Sequence, residues 1–266
     1  MSGFDLEGSC ALITGASAGI GREFARQLAG RAGSLVLIAR RRERLEELRD
    51  ELTKRDPNLN VHIRAIDLSQ SSEVDELCAW LEGENIAIDF LINNAGLGDR
   101  GSFATSEPQR VTEMLAVNIV ALTVLTRALL PDMIKKRRGA ILNVSSSAGF
   151  LPIGGLAVYA ASKAYVTSFS EAIRTELHGT GVTVTALCPG PVHTEFNQVA
   201  RRNSSKREKS GPEFTHVSVE EVVRAGLQAI ERGRPLVVPG LVMKIAMLLV
   251  RLTPMPILRL ASRFST

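Results

Sequence analysis

The stretch Thr14-Gly15-Ala16-Ser17-Ala18-Gly19-Ile20-Gly21 joins an apolar run, Cys10–Thr14, to a helical stretch, Gly19–Ala32. Glycines at such a junction let the backbone turn sharply, approach a pyrophosphate closely and present amides at the positive end of a helix. A glycine cluster alone also fits an ordinary turn. Its place directly after an N-terminal strand turns the reading toward a dinucleotide site at Gly15, Ser17, Gly19, Ile20 and Gly21.

Outward from that junction, apolar runs of strand length alternate with helical stretches. Ser34–Ala39 reads as a strand, Arg41–Arg55 as a charged amphipathic helix, and Val61–Ile66 as the third strand. A helix from Ser71 to Leu81 and a strand from Ile88 to Asn93 continue the alternation. Pro108 fits the first turn of a helix reaching about Arg138, which Pro131 is expected to bend or divide near its end. Ala140–Ser145, a helix over Val158–His178, and Val182–Leu187 follow, with Leu236–Val238 available as a short seventh strand. Repeated β-α units with strands buried on both faces imply an α/β fold with a doubly wound parallel sheet of the Rossmann type.

This is one domain by length, with residues 1–240 as the dinucleotide-binding catalytic unit. Residues 192–217 are polar, basic and weakly periodic, and read as an irregular loop over the substrate site. Residues 241–266 form an apolar, basic C-terminal extension, with Lys244 and Arg251 on one face of Leu241–Leu252. That extension is open to two readings: it covers the pocket or packs between subunits, or it lies on a membrane surface.

The net charge of +4 is concentrated in Arg201, Arg202, Lys206, Arg207 and Lys209, and no aromatic platform stands beside them, so nucleic acid is not the expected partner. Cys10, Cys78 and Cys188 are odd in number and scattered, which suggests thiols in a reducing compartment. The start of the chain carries acids and no apolar run of the secretory type, so a cytoplasmic location is expected. His62, His178, His193 and His216 lack the spacing of a metal site, and no metal is expected.

The chemistry is concentrated in Tyr159-Ala-Ala-Ser-Lys163, with Ser146 thirteen residues upstream. Four residues along a helix is one turn on the same face, so the Lys163 ammonium can sit beneath the Tyr159 phenol. A nearby cation favours phenolate, which predicts a lowered phenol pKa and a group able to exchange a proton with an alcohol or ketone. A buried tyrosine and a surface lysine would show the same spacing, and Ser146 with the glycine loop weighs against that reading. Tyr165, the other tyrosine, has no cation four positions later.

At the end of the second strand, an NAD-specific site would carry a carboxylate for the ribose 2′-hydroxyl. This chain has Ala39-Arg40-Arg41-Arg42 instead, either a 2′-phosphate site or solvated first-turn residues of the next helix.

The glycine motif, Asp67, Asn93-Asn94-Ala95-Gly96, Asn118, Ser146, Tyr159, Lys163 and Pro189-Gly190 occur in an order that resembles the short-chain dehydrogenase/reductase family over nearly the whole chain to about Pro239. The resemblance implies an NADP(H)-dependent oxidoreductase that reduces a ketone or aldehyde, or oxidises the alcohol, of an apolar or lipid-like substrate. It implies catalytic roles for Asn118, Ser146, Tyr159 and Lys163, with Asn118 holding a water that links Lys163 to solvent. It also implies that Arg40, with Ser17 and Arg41 nearby, binds the 2′-phosphate, and that Asp67 and Leu68 meet the adenine. Asn94, Ala95 and Gly96 would support the adenine ribose, Tyr159 and Lys163 would touch the nicotinamide ribose, and Pro189, Gly190, Val192 and Thr194 would line the nicotinamide. A homodimer or homotetramer is the assembly it implies. A protein that senses NADP(H) without turnover, or a membrane-associated scaffold, is the alternative.

Overall fold

The computed structural model describes residues 3–201, 216–254 and 256–258. Seven strands run parallel: β1 (Cys10–Thr14), β2 (Ser34–Ala39), β3 (Asn60–Ala65), β4 (Phe90–Asn93), β5 (Gly139–Val144), β6 (Val182–Leu187) and β7 (Leu236–Val237). Their order across the sheet is β3-β2-β1-β4-β5-β6-β7. The order reverses between β1 and β4, which makes their C-terminal ends the switch point where doubly wound sheets bind ligands.

Strand periodicity divides the core between the two faces of the sheet. Ala11, Ile13, Leu35 and Leu37 point to one side, where they meet helices α1 (Gly19–Leu28), α2 (Arg42–Arg55) and α8 (Val219–Glu231) through Phe24, Leu28, Leu48, Val223 and Ile230. Leu12, Val36 and Ile38 point to the other, against α3 (Ser71–Gly83), α5 (Leu122–Lys135) and α6 (Ala157–Glu176) through Leu77, Leu81, Leu125 and Ile173. The helices on both faces are what allow strands such as Leu35–Ala39 to be apolar at every position.

Three features depart from the sequence expectation. The long helix is interrupted before Pro131, not at it: α4 (Pro108–Leu115) passes into a π-helical turn at Ala116–Ala121, and α5 then continues through Pro131 to Lys135. The wider turn carries Asn118, whose amide bonds outside the helix and so favours a local change in helical spacing. No element is expected between residue 217 and Leu236, yet α8 lies there, with Ser218 accepting a capping bond from the Glu221 amide. Its Val222, Val223, Leu227 and Ile230 are buried at helical spacing. The 192–217 segment is not wholly irregular, since α7 (Glu195–Val199) forms within it, and residues 202–215 lie outside the described residues.

α9 (Leu241–Leu252) folds back onto the body beside Gly190, in keeping with the expectation that this extension covers the pocket. Met243 and Met247 are buried, a Cβ on Gly190 would lie 2.8 Å from Met243 Cγ, and Arg251 lies over the Phe150 ring at 5.9 Å. Leu241, Ile245, Leu248 and Leu252 on the remaining face are exposed. Pro108–Lys135 is long and apolar enough to cross a membrane, but its buried positions pack on the sheet and hold Asn118 beneath the site.

Phe24 is fully buried where α1 meets α8, and a Cβ on Gly226 would come within 3.3 Å of its ring. Phe24→Ala is expected to lower unfolding stability by about 3–5 kcal/mol in chemical denaturation. A loss below about 1 kcal/mol would show that this helix pair does not anchor the glycine-loop helix.

Candidate active site

The glycine loop and the turn after β4 meet at the switch point, and Thr14 ties them together. Its Oγ1 accepts from the Asn94 and Ala95 amides at 2.9 and 3.0 Å and donates to Ile92 O at 3.3 Å. Asn94 Nδ2 in turn donates to Thr14 O and Gly15 O at 2.9 and 3.3 Å. Little side-chain space remains: a Cβ on Gly21 would sit 2.3 Å from Gly15 O, and one on Gly15, whose φ is +69°, would sit 2.9 Å from the Ala95 Cα. The fit explains both glycines by backbone contact.

α1 starts at Gly19 with no side chain capping it, so its first-turn amides face the crevice at the positive end of the helix. A narrow backbone cradle at the start of a helix suits a pyrophosphate, and Gly15, Ser17, Gly19, Ile20 and Gly21 lie on it. Thr194 closes the near side, with its Cγ2 3.2 Å from where a Gly19 Cβ would be.

Around that cradle the structure distributes the remaining cofactor candidates. Asp67 follows β3, where its carboxylate accepts from the Ser69 amide and hydroxyl at 3.0 and 2.9 Å, and Leu68 is buried beside it. The Asp67 carboxylate thus stiffens its own turn, while α3 begins without a side-chain cap. Arg40 is exposed at the end of β2, and it is Arg41 whose Nη2 donates to Ser17 Oγ at 3.3 Å. Pro189 O accepts from the Ser147 amide at 2.9 Å, Gly190 lies against Met243, and the buried Val192 accepts from Asn197 Nδ2 through its carbonyl.

On the other side of the crevice Ser146, Tyr159 and Lys163 come together. Ser146 ends the β5 turn, where its Oγ accepts from the Ala148 amide at 3.1 Å and lies close enough to the Tyr159 phenol to influence its ionisation. Part of the Tyr159 side chain stays accessible, but its phenol group is packed within the protein, and this burial pushes its pKa up while the Ser146 hydroxyl opposes the rise. The lowering expected from Lys163 is therefore not the net outcome. Lys163 Nζ lies 5.9 Å from the Tyr159 ring centroid and donates to Val144 O at 2.8 Å, and burial pushes its ammonium down to about 8. Desolvation disfavours the charged form of both groups.

Asn118 is buried at the π turn and grips the Leu97 peptide from both sides: Oδ1 accepts from Leu97 N at 2.8 Å and Nδ2 donates to Leu97 O at 2.9 Å. The same Nδ2 donates to Ser162 Oγ, which donates to Tyr159 O. A Cβ on Gly96 would lie 3.4 Å from Lys163 Nζ and 3.5 Å from Asn118 Oδ1, so the two groups flank Gly96. Ser145, beside the candidate serine, donates to Lys163 O at 2.8 Å and holds α6 against β5. Tyr165 is exposed and stacks on Phe169, away from this group. Among the described residues no cluster of three or more His, Cys, Asp or Glu is arranged to hold a metal.

Two features escape the sequence reading. Thr14 was visible only as the first letter of the glycine stretch, and nothing local marks its hydroxyl as the tie to a turn some eighty residues away. Phe196, in the segment read as irregular, packs its ring against Tyr159 with centroids 5.4 Å apart. Its spacing from buried neighbours is too short to show periodicity, so the sequence offers no signal for it.

A family model described as short chain dehydrogenase matches residues 9–205. The NADP-dependent 3-hydroxy acid dehydrogenase YdfG of Escherichia coli (strain K12) is 38% identical over 218 residues, covering 80% of this chain and 86% of that protein. Sulfoacetaldehyde reductase of Chromohalobacter salexigens is 44% identical over 200 residues, covering 71% and 75%. Among solved structures, a short-chain dehydrogenase from Sphingobium yanoikuyae in complex with NADPH superposes with a TM-score of 0.79 at 31% identity, covering 92% of this chain and 94% of that one.

Replacing Thr14 by Val leaves two partly buried amides of the β4 turn without their acceptor, at about 1 kcal/mol for each. Thr14→Val is expected to lower the melting temperature and weaken dinucleotide binding in titration calorimetry, and Thr14→Ser to restore both. Unchanged binding in Thr14→Val would remove the tie from the account of the site.

Proposed function

The chain belongs to the short-chain dehydrogenase family, and from that premise we propose that it interconverts an apolar carbonyl compound and its alcohol using NADP(H). The observation that carries the reading is the meeting of Ser146, Tyr159 and Lys163 across the crevice from the Gly15–Gly21 cradle. The NADP named for the Escherichia coli relative and the NADPH in the Sphingobium complex support the same cofactor here, as does Arg41 at Ser17.

When bound, NADPH supplies a hydride to the carbonyl carbon. Gly15, Ser17, Gly19, Ile20 and Gly21 hold the pyrophosphate side, and Arg41, with Arg40 beside it, receives the 2′-phosphate. Asp67 and Leu68 flank the adenine, and Asn94, Ala95 and Gly96 support its ribose. Pro189, Gly190, Val192 and Thr194 border the nicotinamide.

Ser146 donates a hydrogen bond to the carbonyl oxygen, where negative charge develops. Tyr159 hands the proton to that oxygen. A phenol held above its ordinary pKa stays protonated at neutral pH, which suits it to the role of acid in the reductive direction. Lys163 bonds the nicotinamide ribose and, with Asn118 across Gly96, returns a proton to the tyrosine from solvent.

Phe196, Phe150 and Met243 give the substrate side an apolar lining. The exposed row Leu115, Val120, Val124 and Ile134 on the α4–α5 helix supports a homo-oligomer packed through that face. We assign the protein to the cytoplasm; the exposed apolar face of α9 with Lys244 and Arg251 supports a second reading, in which this helix rests on a membrane surface.

Tyr159→Phe removes the proton carrier and leaves the cradle intact. NADPH oxidation against ketones and aldehydes graded by chain length is expected to fall at least about a hundred-fold, with NADPH affinity retained. Turnover that survives this substitution in purified protein would remove Tyr159 from the mechanism.

A further inference from the structure

We propose that Glu195 tunes the cofactor site by competing with the 2′-phosphate for Arg41, and that the 2′-phosphate thereby leaves the start of α7 on the Arg44 pair alone. The proposal rests on the NADP(H) reading above.

Glu195 opens α7, and its carboxylate accepts from Arg41 Nη1 at 2.9 Å and from Arg44 Nη1 at 2.5 Å. The two arginines hold its carboxyl below the ordinary range, so it is an anion at neutral pH. The other terminal nitrogen of Arg41 donates to Ser17 Oγ in the glycine loop. Arg41 therefore links the cofactor loop to a carboxylate 154 residues further along the chain. A phosphate dianion beside Ser17 needs the same guanidinium fork, which is rigid and planar. Two anions on one fork repel, so the phosphate is bound at the expense of the Glu195 contact.

That contact reaches the chemistry through the next residue. Phe196 rests on the Tyr159 ring at 5.4 Å, and it also fills the space over Gly98, where a Cβ would come within 2.7 Å of its Cζ. The far end of α7 is held separately, with the Arg110 guanidinium donating to Val199 O and pairing with Asp99 at 3.3 Å. α7 is thus fixed at its start by Arg41 and Arg44 and at its end by Arg110. A ligand that draws Arg41 away removes one of the two holds on the start, next to Phe196 and the tyrosine, and leaves Arg44 as the other.

Glu195 is partly exposed, and ion pairs of this kind contribute up to about 1 kcal/mol. The test is titration calorimetry of the full chain and of Glu195→Gln with adenosine 2′,5′-bisphosphate and with ADP, alongside hydrogen exchange of residues 195–199. The expected result is roughly five-fold tighter binding of the bisphosphate by Glu195→Gln with ADP unchanged. In the parent protein the bisphosphate, but not ADP, should speed exchange in that segment. Bisphosphate binding that is unchanged or weaker in Glu195→Gln overturns the proposal, the weaker case meaning that Glu195 clasps the bound nucleotide. A parent protein that binds both nucleotides equally overturns the NADP(H) reading itself, and the proposal with it.

Discussion

One buried hydroxyl, Thr14 Oγ1, ties the turn after β1 to the turn after β4, where the chain leaves these two paired strands in opposite directions. The chain turns from β1 toward β2 and from β4 toward β5, and the side chains of Thr14 and Asn94 bridge the crevice between the two turns by hydrogen bonds. The short contacts around Gly15 and Gly21 follow from that closure, because the two turns approach until backbone meets backbone. The same closeness sets the uncapped start of α1 beside the crevice, at the positive end of the helix. An anion site arises from sheet topology, with the glycines as the residues that permit it.

The groups proposed as catalytic depend on burial as much as on spacing. Lys163 is held by a backbone carbonyl of β5 at an ammonium pKa of about 8, and Tyr159 is driven in the opposite direction, toward retaining its proton. Both shifts have desolvation as their first cause. The π turn in the neighbouring helix serves the same region, since it lets Asn118 leave the helical ladder and brace Leu97 and Ser162.

The sheet was legible because its signals are local. Unbroken apolar runs such as Leu35–Ala39 and the glycine-bearing junction after Thr14 read directly as β-α units, and the Val182–Leu187 strand agrees residue for residue. Tyr159 and Lys163 declare themselves by helical spacing, and Ser146 and Asn118 by their order in a family pattern. What stayed hidden depends on distant partners: the Thr14 tie, the choice of Arg41 over Arg40 as the neighbour of Ser17, and Phe196 against Tyr159. The direction of the tyrosine shift was hidden for the same reason. Sequence spacing gives the charge that lies nearby, whereas burial is set by the whole fold.

The most direct measurement of the central claim is a crystal structure with NADP⁺ bound. The account predicts the pyrophosphate on the amides of the Gly15–Gly21 loop and the nicotinamide bordered by Tyr159, Lys163 and Gly190. A dinucleotide seated away from the β1–β4 switch point, or facing away from Tyr159, would contradict it.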